Sequence, residues 1–468
     1  MPDRPDANSL GLTFLTERYT NEGVFTLRWH RGGITVYRDG SDRLLREREL
    51  RAIIAGYLVG KGVPVSSRLV GDIIEVVVGL GRIDDDRDPP FWLQKINGAE
   101  LITCRNGNVS LSDRDSTTKR WRLLPHTPLY YSVAAPLPFD YVPNATCPLF
   151  TRFLQEITGG DLEYISFIEE FLGYLFVPGN PYQVFVLFVG SGANGKTTLI
   201  KILEWLVGPG NVSHIPLSRF ADRFSLHEMI GRRLNSASET ITTIDAEGEA
   251  RLKELTGGDT VAAEIKFVQG RINFTPSAKI VIATNSIPHF KDQSCGIWRR
   301  LHLVPFRISI PEDRQDPMLV EKLKLEGPGI LNLALDGRDR LIAQGGFTVP
   351  AERTILLEEI RRNLDPIREF LTTAYEESAN GEYVGCADAY RAYTNWCSIV
   401  GVRIVDERYF GRRVKEVFYK SDRRQRGGRG SQTWVYLGIM PRTLRTLTNS
   451  YSRAQEEEVV SIGGRVKN

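Results

Sequence analysis

The sequence predicts an α/β fold: a parallel sheet covered by helices, with a small mixed domain before it and a separate basic module after it. Three observations point there. Val184-Phe185-Val186-Leu187-Phe188-Val189 is a continuous apolar run with the length of a strand buried on both faces, and residues 279–284 and 301–306 repeat the pattern. Helix-period stretches separate these runs; the one after the first carries Leu199, Ile200, Leu203 and Leu206. Such alternation implies parallel strands with both faces covered. The third observation is size. A chain of 468 residues, 41% hydrophobic and 25% charged, has an ordinary globular composition and the length for two to four domains at ~100–200 residues each.

Composition also excludes several classes. No apolar run approaches the ~18–20 residues needed to span a bilayer, so no membrane partner is expected. The first eight residues are polar and do not read as a signal peptide. The five cysteines (104, 147, 295, 386 and 397) form no CxxC pair and are odd in number, which argues against a disulfide framework or a zinc finger. A reducing cytoplasm is the expected location. The six histidines are scattered, and none is assigned to a metal. With a net charge of only +3, any nucleic-acid surface must be a local patch.

Taken in order, residues 1–20 read as a flexible tail. Residues 21–148 mix alternating stretches such as Gly33-Ile34-Thr35-Val36-Tyr37 with helical ones at 46–58 and 70–78, a small α/β domain. Its Asp84-Asp85-Asp86 run ends at Pro89-Pro90 and reads as a solvated loop, not a two-metal site. Residues 149–180 form a helical lead-in: Phe153, Ile157, Ile165, Ile168, Phe171, Leu172 and Leu175 recur at three- and four-residue steps. The sheet core spans 181–310, a helical segment 311–365, the basic module 366–440 and a flexible tail 441–468.

Gly190-Ser191-Gly192-Ala193-Asn194-Gly195-Lys196-Thr197 matches GxxxxGK[ST] between a buried strand and an amphipathic helix. Glycines let backbone N–H groups turn inward around phosphates at a helix N-terminus that favours anions. Gly190, Gly192, Asn194, Gly195, Lys196, Thr197 and Thr198 are therefore the expected binding residues for ATP, with Thr197 as a ligand of Mg²⁺. Downstream, Leu234-Asn235-Ser236-Ala237-Ser238-Glu239 reads as a strand whose end carries the water-activating acid and second metal ligand, Glu239. Asn285, just past an apolar strand, suits a sensor of the γ-phosphate. Trp298-Arg299-Arg300 precedes another strand, and in a ring-shaped ATPase an arginine there would enter the neighbouring subunit's site.

As an ordered set these motifs resemble the superfamily 3 helicases, in the branch of poxvirus, phage and plasmid primase–helicases. The likeness runs over roughly residues 95–440. It rests on the Asn-Gly-Lys-Thr-Thr segment, Gly231-Arg232-Arg233-Leu234 through Glu239-Thr240, Leu255-Thr256-Gly257-Gly258-Asp259, Ala283-Thr284-Asn285-Ser286-Ile287-Pro288 and Gly296-Ile297-Trp298-Arg299-Arg300. Upstream, Pro136-Leu137-Pro138-Phe139-Asp140-Tyr141 and Phe171-Leu172-Gly173-Tyr174 fit the helicase-associated region of that family.

The resemblance implies an AAA+ core in a homo-oligomeric ring, usually a hexamer, that hydrolyses ATP and moves 3′ to 5′ on single-stranded DNA in its channel. By the same resemblance Lys196 and Thr197 hold triphosphate and Mg²⁺, Glu239 is the Walker B acid, Asn285 the sensor, and Arg299 or Arg300 the finger acting in trans. A hairpin between residues 261–265 and 272–274 would line the channel, with Lys266 and Arg271 as its DNA contacts. The chain departs from the family in three ways, one of them a hairpin without the strongly basic pair expected near Ala263-Glu264. Ser238 stands where many P-loop enzymes have Asp, which leaves Mg²⁺ held through water or by Thr197 alone. The roughly 150 residues before the ATPase leave no room for a primase domain, so a separate primase or polymerase is an expected partner.

The basic module carries 10 basic and 4 acidic residues between positions 403 and 429, a local charge twice that of the whole chain. Asp406 or Glu407 caps a helix with Phe410, Val414 and Val417 inward. Strand-like pieces at 417–420 and 433–437 flank a mobile loop at 422–430. A helix followed by a basic hairpin is the layout of a winged helix, which would hold duplex or origin DNA through Arg412, Arg413, Lys415, Arg423, Arg424, Arg426 and Arg429. The competing functional class is a DNA-binding ATP switch, an initiator or defence sensor, that loads or clamps without processive unwinding.

Overall fold

The computed structural model describes residues 6–442 apart from 85–86, 88, 95–99, 118, 223, 239–243, 265–270, 289, 291–294, 379–380 and 427–431. The chain divides into two compact units, Met1–Thr354 and Ile355–Asn468.

The first unit opens with a helix where the sequence predicts a tail. Ala7–Arg18 is started by Asp6, whose carboxylate accepts from the Asn8 and Ser9 N–H groups at 3.1 Å each. Gly11, Phe14 and Leu15 fall on one face at helical spacing and are buried. Phe14 and Leu15 join Leu27, Val36, Leu50, Ile54, Leu58, Ile73 and Val77 in one core. That core lies between the antiparallel strands Leu27–His30, Gly33–Arg38 and Ser41–Leu44 and the helices Glu47–Gly60 and Ser67–Leu80. The rest of the predicted N-terminal domain has other allegiances. Strands Leu101–Cys104, Gly107–Arg114 and Trp121–Leu124 send Ile102, Val109 and Trp121 into a second core shared with the helical lead-in and the large sheet.

The large sheet has five parallel strands in the order Val212–Ser213, Leu234–Ser238, Lys279–Thr284, Phe185–Val189, Leu301–Pro305. The strand Phe185–Val189 pairs Phe185 with Ile280 on one side and with Leu301 on the other. Phe185, Val186 and Leu187 are fully buried, as an apolar strand with helices on both faces requires. Because chain order and strand order differ, a crevice opens at the C-terminal ends of the strands, where ligands bind in open α/β sheets.

Helices Pro148–Thr158 and Leu162–Tyr174 precede the sheet, and Leu162–Tyr174 packs on Gly327–Gln344. Two glycines allow the close crossing. A Cβ on Gly173 would collide with Arg338 N and Ala334 O, and one on Gly337 with Glu169 O. Between the two lead-in helices Gly159 takes φ 68° as a C-cap and Asp161 caps the next start. No helix among the described residues is long and apolar enough to cross a membrane.

The second unit has helices Pro366–Ala374, Cys386–Val400 and Glu407–Val417 around Phe370, Tyr393, Phe410 and Val414. A three-stranded antiparallel sheet follows the order Tyr383–Gly385, Thr433–Leu437, Asp422–Arg426. Here the structure corrects the strand boundary. Residues 417–420 are not a strand, since Val417 ends the helix and Phe418 caps it. The Arg-rich stretch expected as a loop is itself a strand, paired from Asp422↔Leu437 to Arg426↔Thr433. Its charges resemble those of a loop because an edge strand with solvent on one side tolerates them.

Candidate functional site

The strand Phe185–Val189 runs into a turn that the helix Lys196–Val207 closes. The turn needs left-handed backbone at Gly192 (φ 114°), Ala193 (φ 48°) and Gly195 (φ 85°). A Cβ on Gly195 would sit 2.5 Å from Ile157 Cγ2, so the lead-in helix closes directly over the loop. Asn194 is buried, and its Nδ2 donates to Phe306 O at 3.0 Å, pinning the loop to the chain after the edge strand. Lys196 is buried too; its Nζ donates to Gly190 O and, at 3.1 Å, to Asn194 Oδ1. Burial lowers its pKa. The cation is thus held over the loop by neutral oxygens, ready to exchange them for anionic ones.

A cavity of about 860 Å³ opens here, and residues 192–198, Ser238, Thr284 and Asn285 are among those that line it. Thr284 pairs with Val189 in register, and Gly190 N donates to Thr284 O at 3.2 Å. Asn285 is therefore brought next to the start of the loop. Ser238 pairs with Ala283 at the end of the neighbouring strand. Glu239, the next residue, lies outside the described residues. Other lining residues were not anticipated: Phe153, Glu156, Ile310, Glu312, Arg314 and Asp316. They come from the lead-in helix and from the chain beyond the edge strand, remote in sequence, and no local motif marks them. The residues could hold a nucleoside triphosphate: a turn whose left-handed backbone at Gly192 and Gly195 favours glycine, a buried ammonium with neutral partners, and the Thr197 side chain as the oxygen donor for a divalent cation.

The two arginines separate. Arg300 is 8% exposed, donates to Gly296 O at 2.7 Å, and has its pKa lowered by burial and by Arg299, with Asp259 opposing. Arg299 is exposed and donates to Gln183 Oε1 at 3.1 Å. Both precede the strand Leu301–Pro305, which is parallel to Phe185–Val189 and in register with it. They sit at the sheet edge opposite their own chain's loop, five residues of strand or roughly 16 Å away. The hairpin strands Val261–Glu264 and Arg271–Phe274 pair from Val261↔Phe274 to Glu264↔Arg271. Lys266 lies outside the described residues, as does the side chain of Arg271.

In the second unit Arg412 and Lys415 lie on the helix Glu407–Val417 and are both exposed. Arg413 is not part of that surface. Its guanidinium is held by Asp365 and Glu416 and is 14% exposed, so it ties two helices together. On the hairpin, Arg423 stacks 4.8 Å over the Trp434 ring and Arg426 4.6 Å over Tyr383, while Arg424 donates to Asp422 at 2.8 Å. Arg423, Arg424 and Arg426 are all exposed. Arg429 lies outside the described residues. The aromatic partners Trp434 and Tyr383 are 47% and 49% exposed, and no sequence motif singled them out.

Comparison with known proteins adds five findings. A family of unknown function, DUF5906, matches residues 188–300. "Putative helicase L207/L206" of Acanthamoeba polyphaga mimivirus is 27% identical over 154 residues, covering 32% of this chain and 16% of that protein. "Putative helicase 022R" of Frog virus 3 (isolate Goorha) is 24% identical over 255 residues, 48% of this chain and 25% of that protein. The chain thus spans a quarter or less of these viral relatives. Among solved structures, the apo NrS-1 C-terminal region superposes with a TM-score of 0.58 at 11% identity, over 93% of this chain and 100% of that one, a likeness of fold. Finally, the RFX DNA-binding domain matches residues 366–443, the span of the three helices and basic hairpin. The chain therefore couples a mixed α/β unit with a five-stranded parallel sheet to a C-terminal winged-helix DNA-binding domain of the RFX kind.

Proposed function

We propose that the chain is an ATP-dependent DNA helicase or translocase, working as a homo-oligomeric ring, a hexamer, that moves 3′ to 5′ on single-stranded DNA. The observation that carries this reading is the loop 190–195: glycine-built, at the C-terminal edge of the strand Phe185–Val189, with a buried lysine held by neutral oxygens. Its backbone N–H groups and the Lys196 ammonium would take the phosphates in place of Gly190 O and Asn194 Oδ1. Mg²⁺, when bound, would offset phosphate charge, with Thr197 and Glu239 as its ligands. Asn285 would orient the γ-phosphate or the attacking water. Of the two arginines, the exposed Arg299 is the finger for a neighbour's site, because Arg300 is committed to the interior and both lie at the far end of the strand from their own loop.

Two viral relatives with helicase names and the RFX-type domain support DNA as the substrate. The C-terminal domain would hold duplex or origin DNA through Arg412, Lys415 and the hairpin arginines, with a separate primase or polymerase acting alongside. The RFX-type domain also favours a second reading, a DNA-binding ATP switch that loads without unwinding.

Strand displacement decides between them. ATP-dependent release of an oligonucleotide from a tailed duplex, lost in Lys196→Ala by a factor of ~100 or more, is the expected result. DNA-stimulated hydrolysis with no strand released would favour the switch, and no hydrolysis at all would remove both.

A further inference from the structure

The cavity at the glycine loop takes one of its walls from the chain beyond the edge strand, and that wall is tied to the loop. Ile310 N donates to Ala193 O at 2.7 Å, which fixes the start of the segment on the glycine turn. Gln315 Nε2 then donates to Ile310 O at 2.8 Å, and Arg314 N to Pro311 O at 2.9 Å, so residues 310–315 fold into a compact turn. Asp316, the next residue, accepts from Lys322 Nζ at 2.5 Å and from Met318 N at 2.9 Å. The turn is thus held at both ends, and it carries Arg314 into the lining of the cavity that Lys196 also lines.

Of the described residues that line this cavity, only Lys196 and Arg314 are cations. Arg314 is exposed, and no ion pair or side-chain hydrogen bond with a described residue engages its guanidinium. The carboxylates of the same lining leave it free: Asp316 is committed to Lys322, and neither Glu156 nor Glu312 is paired with it. A second chamber of about 470 Å³ shares Phe153, Glu156, Arg314 and Asp316 with the cavity and adds Arg152, which is exposed. Arg314 therefore borders both spaces, whereas Arg152 borders only the second.

A triphosphate carries more negative charge than one ammonium neutralises, and the three carboxylates in this lining oppose its entry. An uncommitted guanidinium among them offsets that repulsion, and its planar fork matches a pair of phosphate oxygens. We propose that Arg314 is a second phosphate-binding cation of this site, gripping the phosphates of the nucleotide held by the loop 190–197. The inference rests on the reading of that loop as a nucleoside triphosphate site. Arg314 acts in cis, since its turn hangs from Ala193 of the same loop, and so differs from Arg299, the finger for a neighbour's site.

The test measures binding to the full chain without Mg²⁺, with a fluorescent ATP analogue as reporter and inorganic tripolyphosphate, which has no nucleoside, as competitor. Arg314→Ala should weaken both ligands about 10- to 100-fold, and Arg314→Lys should recover part of the loss. Arg152→Ala removes an equal charge from the second chamber and should leave tripolyphosphate binding unchanged. Thermal melting without ligand should match the parent chain in all three variants. Mixing Arg314→Ala with Lys196→Ala chains should restore no ATPase activity, because both residues serve the same chain's site. Unchanged affinity for both ligands in folded Arg314→Ala would overturn the proposal. So would a loss for the ATP analogue without a loss for tripolyphosphate, which would assign Arg314 to the nucleoside. An equal loss in Arg152→Ala would reduce the effect to a general field, and restored ATPase activity would move Arg314 to a neighbour's site; either result overturns it as well. Failure of the parent chain to bind either ligand would instead refute the reading of the loop itself, and this inference with it.

Discussion

His302 shows how one residue can carry a measurable consequence of burial. It lies in the edge strand, 6% exposed, with its ring stacked on Phe167 at 4.9 Å and 7°. Burial, helped by Arg353, pushes its pKa down to about 3. The unfolded chain, with an ordinary pKa near 6.5, then binds more protons than the folded one between about pH 3 and 6.5. This contribution to stability is complete above pH 6.5 and is lost as pH falls through that window. The melting temperature should therefore drop between pH 7 and 4.5, and His302→Phe, which keeps a ring on Phe167, should flatten the slope. An unchanged slope in the variant would assign the acid sensitivity elsewhere. The turn at residues 190–197 was readable because its demands are local: each glycine and the lysine serve the same short stretch of backbone. Glu156 and Arg314, on the same cavity, were not, because nothing near either in sequence records that they meet.

Elements are fixed by which surfaces can approach. Leu162–Tyr174 and Gly327–Gln344 cross closely because Gly173 and Gly337 present no side chain, so Gly173→Ala should destabilise the first unit by about 1–3 kcal/mol or more, read by urea denaturation. The first helix escaped notice in the sequence although its signals are present: Asp6 as cap and Gly11, Phe14 and Leu15 on one face. Its apolar residues are not confined to that face, since Leu12 is 49% exposed, and packing on Ser67–Leu80 decides which side is buried. The basic hairpin erred in the opposite direction, since local charge argued for a loop and pairing with Thr433–Leu437 made a strand. On that hairpin Arg423, Arg424 and Arg426 stand exposed. Their joint replacement by alanine should weaken duplex binding about equally for all sequences and lower the salt slope by ~0.9 for each phosphate left without its cation. Arg413→Ala should instead lower stability, because it leaves Asp365, a helix cap, without its guanidinium partner.

At the scale of the whole molecule the proposed ring predicts shared sites. An Arg299→Ala chain mixed with a Lys196→Ala chain should recover part of the ATPase activity that neither has alone, because some interfaces then combine an intact loop with an intact finger. Recovery should fail for Arg300→Ala if that variant melts early, as its burial implies. No recovery with Arg299→Ala at any mixing ratio, with both chains folded and co-assembled, would rule out the in-trans role. The two compact units have separate cores, and the RFX-type domain lies wholly in the second.

The sequence alone determined four of the five parallel-sheet strands, the glycine loop with its lysine, and the basic character of residues 403–429. Each is a short-range pattern in which neighbours along the chain share one environment. Tertiary structure alone decided that Arg299 is exposed and Arg300 buried, and that Arg413 serves the interior. Burial and pairing depend on residues tens to hundreds of positions away, and a one-dimensional pattern does not encode which of two adjacent arginines the core will claim.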